Sequence, residues 1–296
     1  MSPPASSSSR TSPAAAKAGR RARSRPADGY FAAHAAIRQV HRERVLALAG
    51  PRALLMQAAH PLAVVGLLSH SGALEEPYER LARTAQAMSA ITFGSRAQAD
   101  RTARRIRAMH RRVRGTLPAA VGRYPAGTPY RADDPRLLLW VLFTLVDSAL
   151  VVHRAYVGGL PREREAELWQ DYRVLGRLFG LADAHMPADL DELHAYRRRM
   201  LEGDELHVTE WARRRARQIV LQPPVPALAR PALETANFIT IALLPPEIRR
   251  QYRFSPLPPA VMREQLVGAG ASYFRHLVLP LVPARLRYAS PRAPAA

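Results

Sequence analysis

Three groups of residues in this chain have types and spacings that could do chemistry. The first is His110. Ala99, Ala103, Ile106, His110 and Val113 recur at intervals of four, three, four and three, which defines one apolar face of a helix, while seven arginines from Arg101 to Arg114 cover the remainder. His110 therefore holds a slot where an aliphatic side chain is the default. A dry setting favours the neutral imidazole, so the residue is either a core histidine bonded to a nearby carbonyl or a metal ligand; spacing leaves both open. The second group is Arg80, Arg83 and Thr84, related as i, i+3 and i+4, so that two guanidinium groups and a hydroxyl share a helical face. Over an apolar cavity they could hold a bound oxygen species or a carboxylate; facing water they are an ordinary basic surface. The third is the pair His60 and His70, which border the aliphatic run from Leu62 to Leu68. They could line a pocket for a flat hydrophobic cofactor, or simply end their helices. Asp147, alone in an apolar stretch, reads as a buried acid that caps a helix or pairs with an arginine.

Several alternatives are excluded by what is missing. The sequence has no cysteine, so thiolate metal sites, disulfides and covalent haem attachment are ruled out. It also has no H-E-x-x-H motif and no glycine-rich phosphate loop.

The elements that must position these residues read as helices. His34 to Ala49 shows apolar residues at helical spacing and is expected to end at Gly50-Pro51. Arg52 to Leu68 is apolar with Pro61 as a break, and Pro77 opens a helix to about Ser89. Ser95-x-x-Gln98 is a capping box for the helix that carries His110, with Gly115 as its stop. Asp134-Pro135 is an N-cap followed by proline at the first helical position, for a helix reaching about Val157. Its apolar stretch, Leu137 to Val152, has 16 residues and is interrupted by Asp147-Ser148, short of the roughly 20 that a bilayer span needs. It is expected to be a buried central helix. Further helices are expected at 161–180, 187–201, 206–221, 229–244, 246–252 and 259–277, with no run of alternating strand residues. The fold class is all-α: one large multi-helix domain over 29–296. Before it lies a tail, 1–28, whose Ser, Pro, Ala and Arg composition predicts disorder.

The net charge is +20 over 296 residues, and Lys17 is the only lysine. The basic residues spread along the chain and aromatic content is 7%, so no specific nucleic-acid partner is expected; the charge reads as a solvated arginine-rich surface. Arg20-Arg21 is not followed by an apolar segment, which argues against twin-arginine export and for a cytoplasmic protein. Peripheral membrane contact remains compatible with such a surface.

Taken together, the segments resemble a known family. The run Gly50-Pro51-Arg52-Ala53-Leu54-Leu55-Met56-Gln57-Ala58-Ala59-His60-Pro61 looks like the opening motif of bacterial oxygenase-like proteins related to the latex-clearing protein (rubber oxygenase) and the fungal oxygenase of mycophenolic acid biosynthesis. His70-Ser71, Arg80-x-x-Arg83-Thr84, Thr92-Phe93-Gly94, Met109-His110-x-x-Val113-Arg114-Gly115, Asp134-Pro135-x-Leu137-Leu138-Leu139-Trp140-Val141 and Leu244-Pro245-Pro246-Glu247-Ile248-Arg249 follow in the family's order, so the likeness spans about residues 35 to 290.

The resemblance implies an all-helical fold, non-covalent haem b, His110 as the proximal iron ligand, and dioxygen with a hydrophobic, isoprenoid-like molecule as substrates. It implies a distal role for Arg80, Arg83 and Thr84, although Arg83 stands where rubber oxygenases have lysine, and arginine is a poor reversible iron ligand. The family's glutamate base falls near Val64-Val65, which is apolar, leaving His60 or His70 as candidates. Two other readings stand beside this one: a haem-binding sensor or carrier without turnover, and a basic, non-enzymatic interaction protein.

Overall fold

The computed structural model describes residues 28–69, 77–221, 225–254 and 260–289. The tail expected over 1–28, apart from Asp28, and His70 lie outside the described residues.

The fold is all-α, organised around the helix that begins at Asp134-Pro135. This helix, α6 (Pro135–Tyr156), starts as its sequence requires: the Asp134 carboxylate accepts from the Arg136 amide at 2.8 Å, and proline occupies the first turn. It is apolar on nearly every side and must therefore be enclosed. By length and composition alone it could cross a membrane, but two-thirds of its most apolar window is buried inside the protein. Around it pack α1 (Ala36–His41), α2 (Ala49–Gln57), α7 (Arg162–Phe179) and α12 (Ala260–Tyr273), with α2 making the most extensive contact. The principal apolar cluster gathers side chains from Phe31 to Tyr252, among them Trp140, Phe143, Trp169 and Tyr172.

α3 (Pro61–Ser69), α4 (Pro77–Phe93), α5 (Arg96–Arg112), α8 (Leu190–Glu202), α9 (Glu210–Ala216), α10 (Arg230–Ala242), α11 (Pro246–Gln251) and α13 (Ala284–Arg287) complete the helices among the described residues. Their ends follow local chemistry. Ser95 and Gln98 form both bonds of the capping box at the start of α5. Asp189 and Thr209 cap α8 and α9, and α7 stops at Gly180, whose φ of 97° suits glycine.

Three expectations need correction. The helix expected from His34 to Ala49 is broken into α1 and a 3-10 segment, Arg44–Leu48. Gly50-Pro51 does not end a helix; it lies in the first turn of α2, where proline's missing N–H costs nothing. Two short antiparallel strands also occur, β1 (Arg114–Thr116) and β2 (Pro129–Arg131), with Gly115 opposite Tyr130. The expected stop glycine of α5 is thus a strand residue. A Cβ there would meet the Tyr130 hydroxyl at 2.6 Å, so the pairing needs glycine. The helices expected at 206–221 and 259–277 are present, but each ends in a π-helical segment, Arg217–Leu221 and Phe274–Val278.

Candidate functional site

α4 and α5 form an antiparallel hairpin turning at Gly94-Ser95. Glycine is required at 94 because a Cβ would run into the Ala90 carbonyl. Near this turn the hairpin is closed: Met88, Ile91 and Thr92 of α4 and Ala99 and Ala103 of α5 are all buried. Toward the other end it opens. On α5 the same apolar face continues as Ile106, His110 and Val113, now only half-buried. On α4, Ala82, Arg83, Thr84, Ala85 and Gln86 are all exposed. Five consecutive residues exceed one 3.6-residue turn, so no side of α4 is fully packed there. Because the chain folds back on itself, the first turn of α4, with Arg80, lies level with the last turn of α5, with His110.

His110 therefore sits on the inner face of α5 where the hairpin opens. Its ring is half-buried and its Nδ1 atom is shielded from water. Arg83 and Thr84 lie on the exposed stretch of α4 at the same end. Arg80 belongs to α4 by its backbone; its side chain lies outside the described part.

α3 and the β-hairpin form the adjacent wall. Gly66 of α3 is close to Val113 and Tyr130: a Cβ there would stand 3.4 and 3.5 Å from them, ordinary contact. Leu62, Leu117, Tyr130 and Leu137 make a small second cluster, joined by Val65, Val113 and Tyr124. Val64 is buried in the main core and Val65 packs against both clusters. That segment is aliphatic in structure as in sequence.

His60 stands at the corner between α2 and α3, only 3% exposed. Its Nε2 is 3.3 Å from the Tyr124 hydroxyl, and Nδ1 has no hydrogen-bond partner from another residue. Burial, reinforced by the Arg136 guanidinium, lowers its pKa to about 4, so the ring is neutral at ordinary pH. Burial also raises the pKa of Tyr124 above the usual phenol value.

Asp147 behaves as its sequence context suggested. It pairs with Arg52 of α2 at 2.7 Å and with Arg197 of α8 at 3.3 Å. Arg52 is 1% exposed and also donates to Ser148 Oγ and to the Leu243 carbonyl, both at 2.7 Å. One turn further along the same interface, Gln57 donates to Thr144 at 3.0 Å. The sequence reading paired Asp147 with no particular arginine, but a signal was available. Arg52 is the one charged residue of α2 and Asp147 the one charged residue of the stretch Leu137 to Val152, and two such charges need each other. Tyr124, in a loop of prolines and glycines, and the 2.8 Å contact of His41 Nε2 with Tyr172 Oη carry no comparable signal.

The described residues thus bring a half-buried imidazole on α5 to the same end of the hairpin as Arg83 and Thr84 of α4, with an aliphatic wall beside it. The chain belongs to the family described as ER-bound oxygenase mpaB/B′/rubber oxygenase, catalytic domain, whose pattern matches residues 37–278. It is therefore an oxygenase-family catalytic domain. It is similar to the uncharacterized proteins Mb2261 of Mycobacterium bovis and Rv2237 of Mycobacterium tuberculosis, each 28% identical over 204 residues, covering 66% of this chain and 75% of theirs. No solved structure matches it.

Proposed function

We propose that this chain is a haem-b-dependent oxygenase that holds iron through His110 and oxidises a hydrophobic, unsaturated, isoprenoid-like molecule with dioxygen. The observation that carries this reading is the position of His110, half-buried on the face of α5 that Ala99 and Ala103 begin, at the end of the α4–α5 hairpin where Arg83 and Thr84 are exposed.

The donor set fits the group. A porphyrin supplies four of the iron's ligands and asks the protein for one axial donor, an apolar rim and cations for its carboxylates. The residues around His110 offer these in Ile106 and Val113 on α5, the aliphatic α3, and the guanidinium of Arg83. Among the described residues no three His, Asp or Glu side chains gather in one place. Haem, when bound, supplies the activation of dioxygen.

The chain's own residues have separate tasks. His110 offers a ring nitrogen lone pair, and its backbone lies just before the strand that follows α5. Arg83 stays protonated throughout and positions an anion, without shuttling protons. Thr84 Oγ1 can donate one hydrogen bond. Arg80, by its place in the first turn of α4, joins this distal group. His60 is the proton acceptor we assign on the α3 side. With a pKa of about 4 it holds a proton weakly, and the Tyr124 hydroxyl is its immediate neighbour. His70 follows α3 directly and is the alternative acceptor.

The second reading, a haem-binding sensor or carrier, draws on one observation: the aliphatic character of Val64 and Val65, where a carboxylate base would otherwise stand. The experiment is haemin titration of the purified chain followed by oxygen-uptake measurement. A Soret band that is lost in His110→Ala, with uptake dependent on a polyprenyl substrate, is expected. A band without uptake moves the assignment to the sensor, and a chain that takes up no haemin ends both readings.

A further inference from the structure

The last fifty residues present a surface that the site does not use. α12 packs on α6 and α10 through a face that includes Val267 and Ala271, both buried. The opposite face bears Met262, Leu266 and Tyr273, which at 100° per residue fall within about 40° of one another. The stripe continues through the π-helical segment as Leu277 and through the following 3-10 turn, Leu279–Leu281, as Leu281. These five large side chains are between 50% and 81% exposed. Isolated exposed apolar residues are ordinary, but a row of them along one face for about twenty residues is an interaction surface.

Charge chooses the partner. Residues 260–289 hold four arginines and one glutamate. Arg287 is held by Glu43 and Arg275 donates to the Arg154 carbonyl, while Arg285 and His276 are exposed on the same segment, as are Leu228 and Arg230 where α10, the helix packed on α12, begins. A second copy of this chain is disfavoured by a net charge of +20 on each molecule. The chain's own residues 2–27 are a poor cover, because they contain no leucine, isoleucine, valine or aromatic residue. They do contain six basic residues and no acidic one, which adds to attraction toward a negative surface.

We propose that the outer face of α12 and the turns that follow it dock the protein onto anionic lipid bilayers, with the leucines and Tyr273 entering the headgroup boundary and the exposed Arg285 and Arg230 pairing with lipid phosphates. An apolar stripe flanked by cations is the combination that lies in a membrane interface without spanning it, and either part alone binds weakly. This inference rests on no part of the haem reading.

The test is flotation of the full chain with vesicles of phosphatidylglycerol and phosphatidylcholine, against vesicles of phosphatidylcholine alone. The expected result is flotation with the anionic vesicles and at least about tenfold weaker partitioning for Leu266→Gln/Leu277→Gln, with an unchanged melting temperature. Failure of the original chain to float with anionic vesicles overturns the proposal. Equal flotation of the double variant also overturns it, because charge alone then suffices. A dimer by light scattering that the double variant turns into a monomer overturns it in favour of a second copy. Should that variant not fold, Met262→Gln/Leu281→Gln is read by the same criteria.

Discussion

Two regions of this molecule handle arginine in opposite ways. Between α2 and α6, Arg52 is enclosed and each of its interactions is specified: a carboxylate, a hydroxyl and a carbonyl, all at 2.7 Å. At the open end of the α4–α5 hairpin, Arg83 is exposed on a helix that is not fully packed on any side. The first arrangement fixes how helices sit against each other and has no room for a ligand. The second places the residue at the surface. The same residue type holds the fold together where its donors are consumed inside it, and is the candidate for a ligand contact where it lies at the surface.

Replacing Arg52 should break this contrast most severely. Arg52→Met leaves Asp147 buried with only the more distant Arg197, and a loss of about 3–5 kcal/mol is expected in denaturant unfolding. Arg52→Met/Asp147→Leu should recover much of that, because burying an ion pair and burying two apolar groups differ far less than breaking the pair. A single variant as stable as the parent would show that α2 and α6 are held by packing alone.

A smaller effect is expected from pH. His60 in the folded chain has its pKa lowered to about 4, against 6.5 for an unperturbed imidazole. Between those values the unfolded chain binds a proton that the folded chain refuses, so stability is full above about pH 6.5, falls as pH drops toward 4, and levels off below it. The slope from this one group is at most about 1.4 kcal/mol per pH unit. Urea unfolding across that range should show the slope reduced in His60→Gln, and an identical slope would place the titration elsewhere, with His41, also lowered to about 4, the next group to test.

The smallest change belongs to the open region. Arg83→Ala should shift stability by no more than about 0.5 kcal/mol, as expected at an exposed helix position. By contrast, it should weaken haemin retention measurably in a dialysis assay. A large loss of stability would mean that Arg83 serves the fold, as Arg52 does.

How far the sequence reveals all this depends on the range of the signal. The capping box at Ser95, the Asp134-Pro135 start of α6 and the stop of α7 at Gly180 are local, and the helices begin and end close to where those residues require. The broken helix after His41 and the strand at Gly115 are not local. Gly115 is explained only by Tyr130, fifteen positions away, which needs the space that a Cβ would fill. In the site, His110 was legible because a histidine in an apolar row stands out by type. The contact of Tyr124 with His60 was not, since a tertiary contact between a loop and a helix corner leaves no periodic trace. The gradient along the hairpin, closed at Met88 and Ala103 and open at Thr84 and His110, was also invisible, because small and apolar residues occupy both ends.

The two-stranded ribbon beside α5 has a consequence for recognition. Through the pairing of Gly115 with Tyr130, the backbone just beyond His110 is tied to the start of α6, the most deeply set element of the protein. On the assignment proposed for His110, an imidazole hung from so constrained an anchor loses little freedom when a guest arrives, so more of the contact energy remains as affinity. Loosening the ribbon should thus speed the departure of whatever the ring holds while leaving the chemistry of the ring untouched.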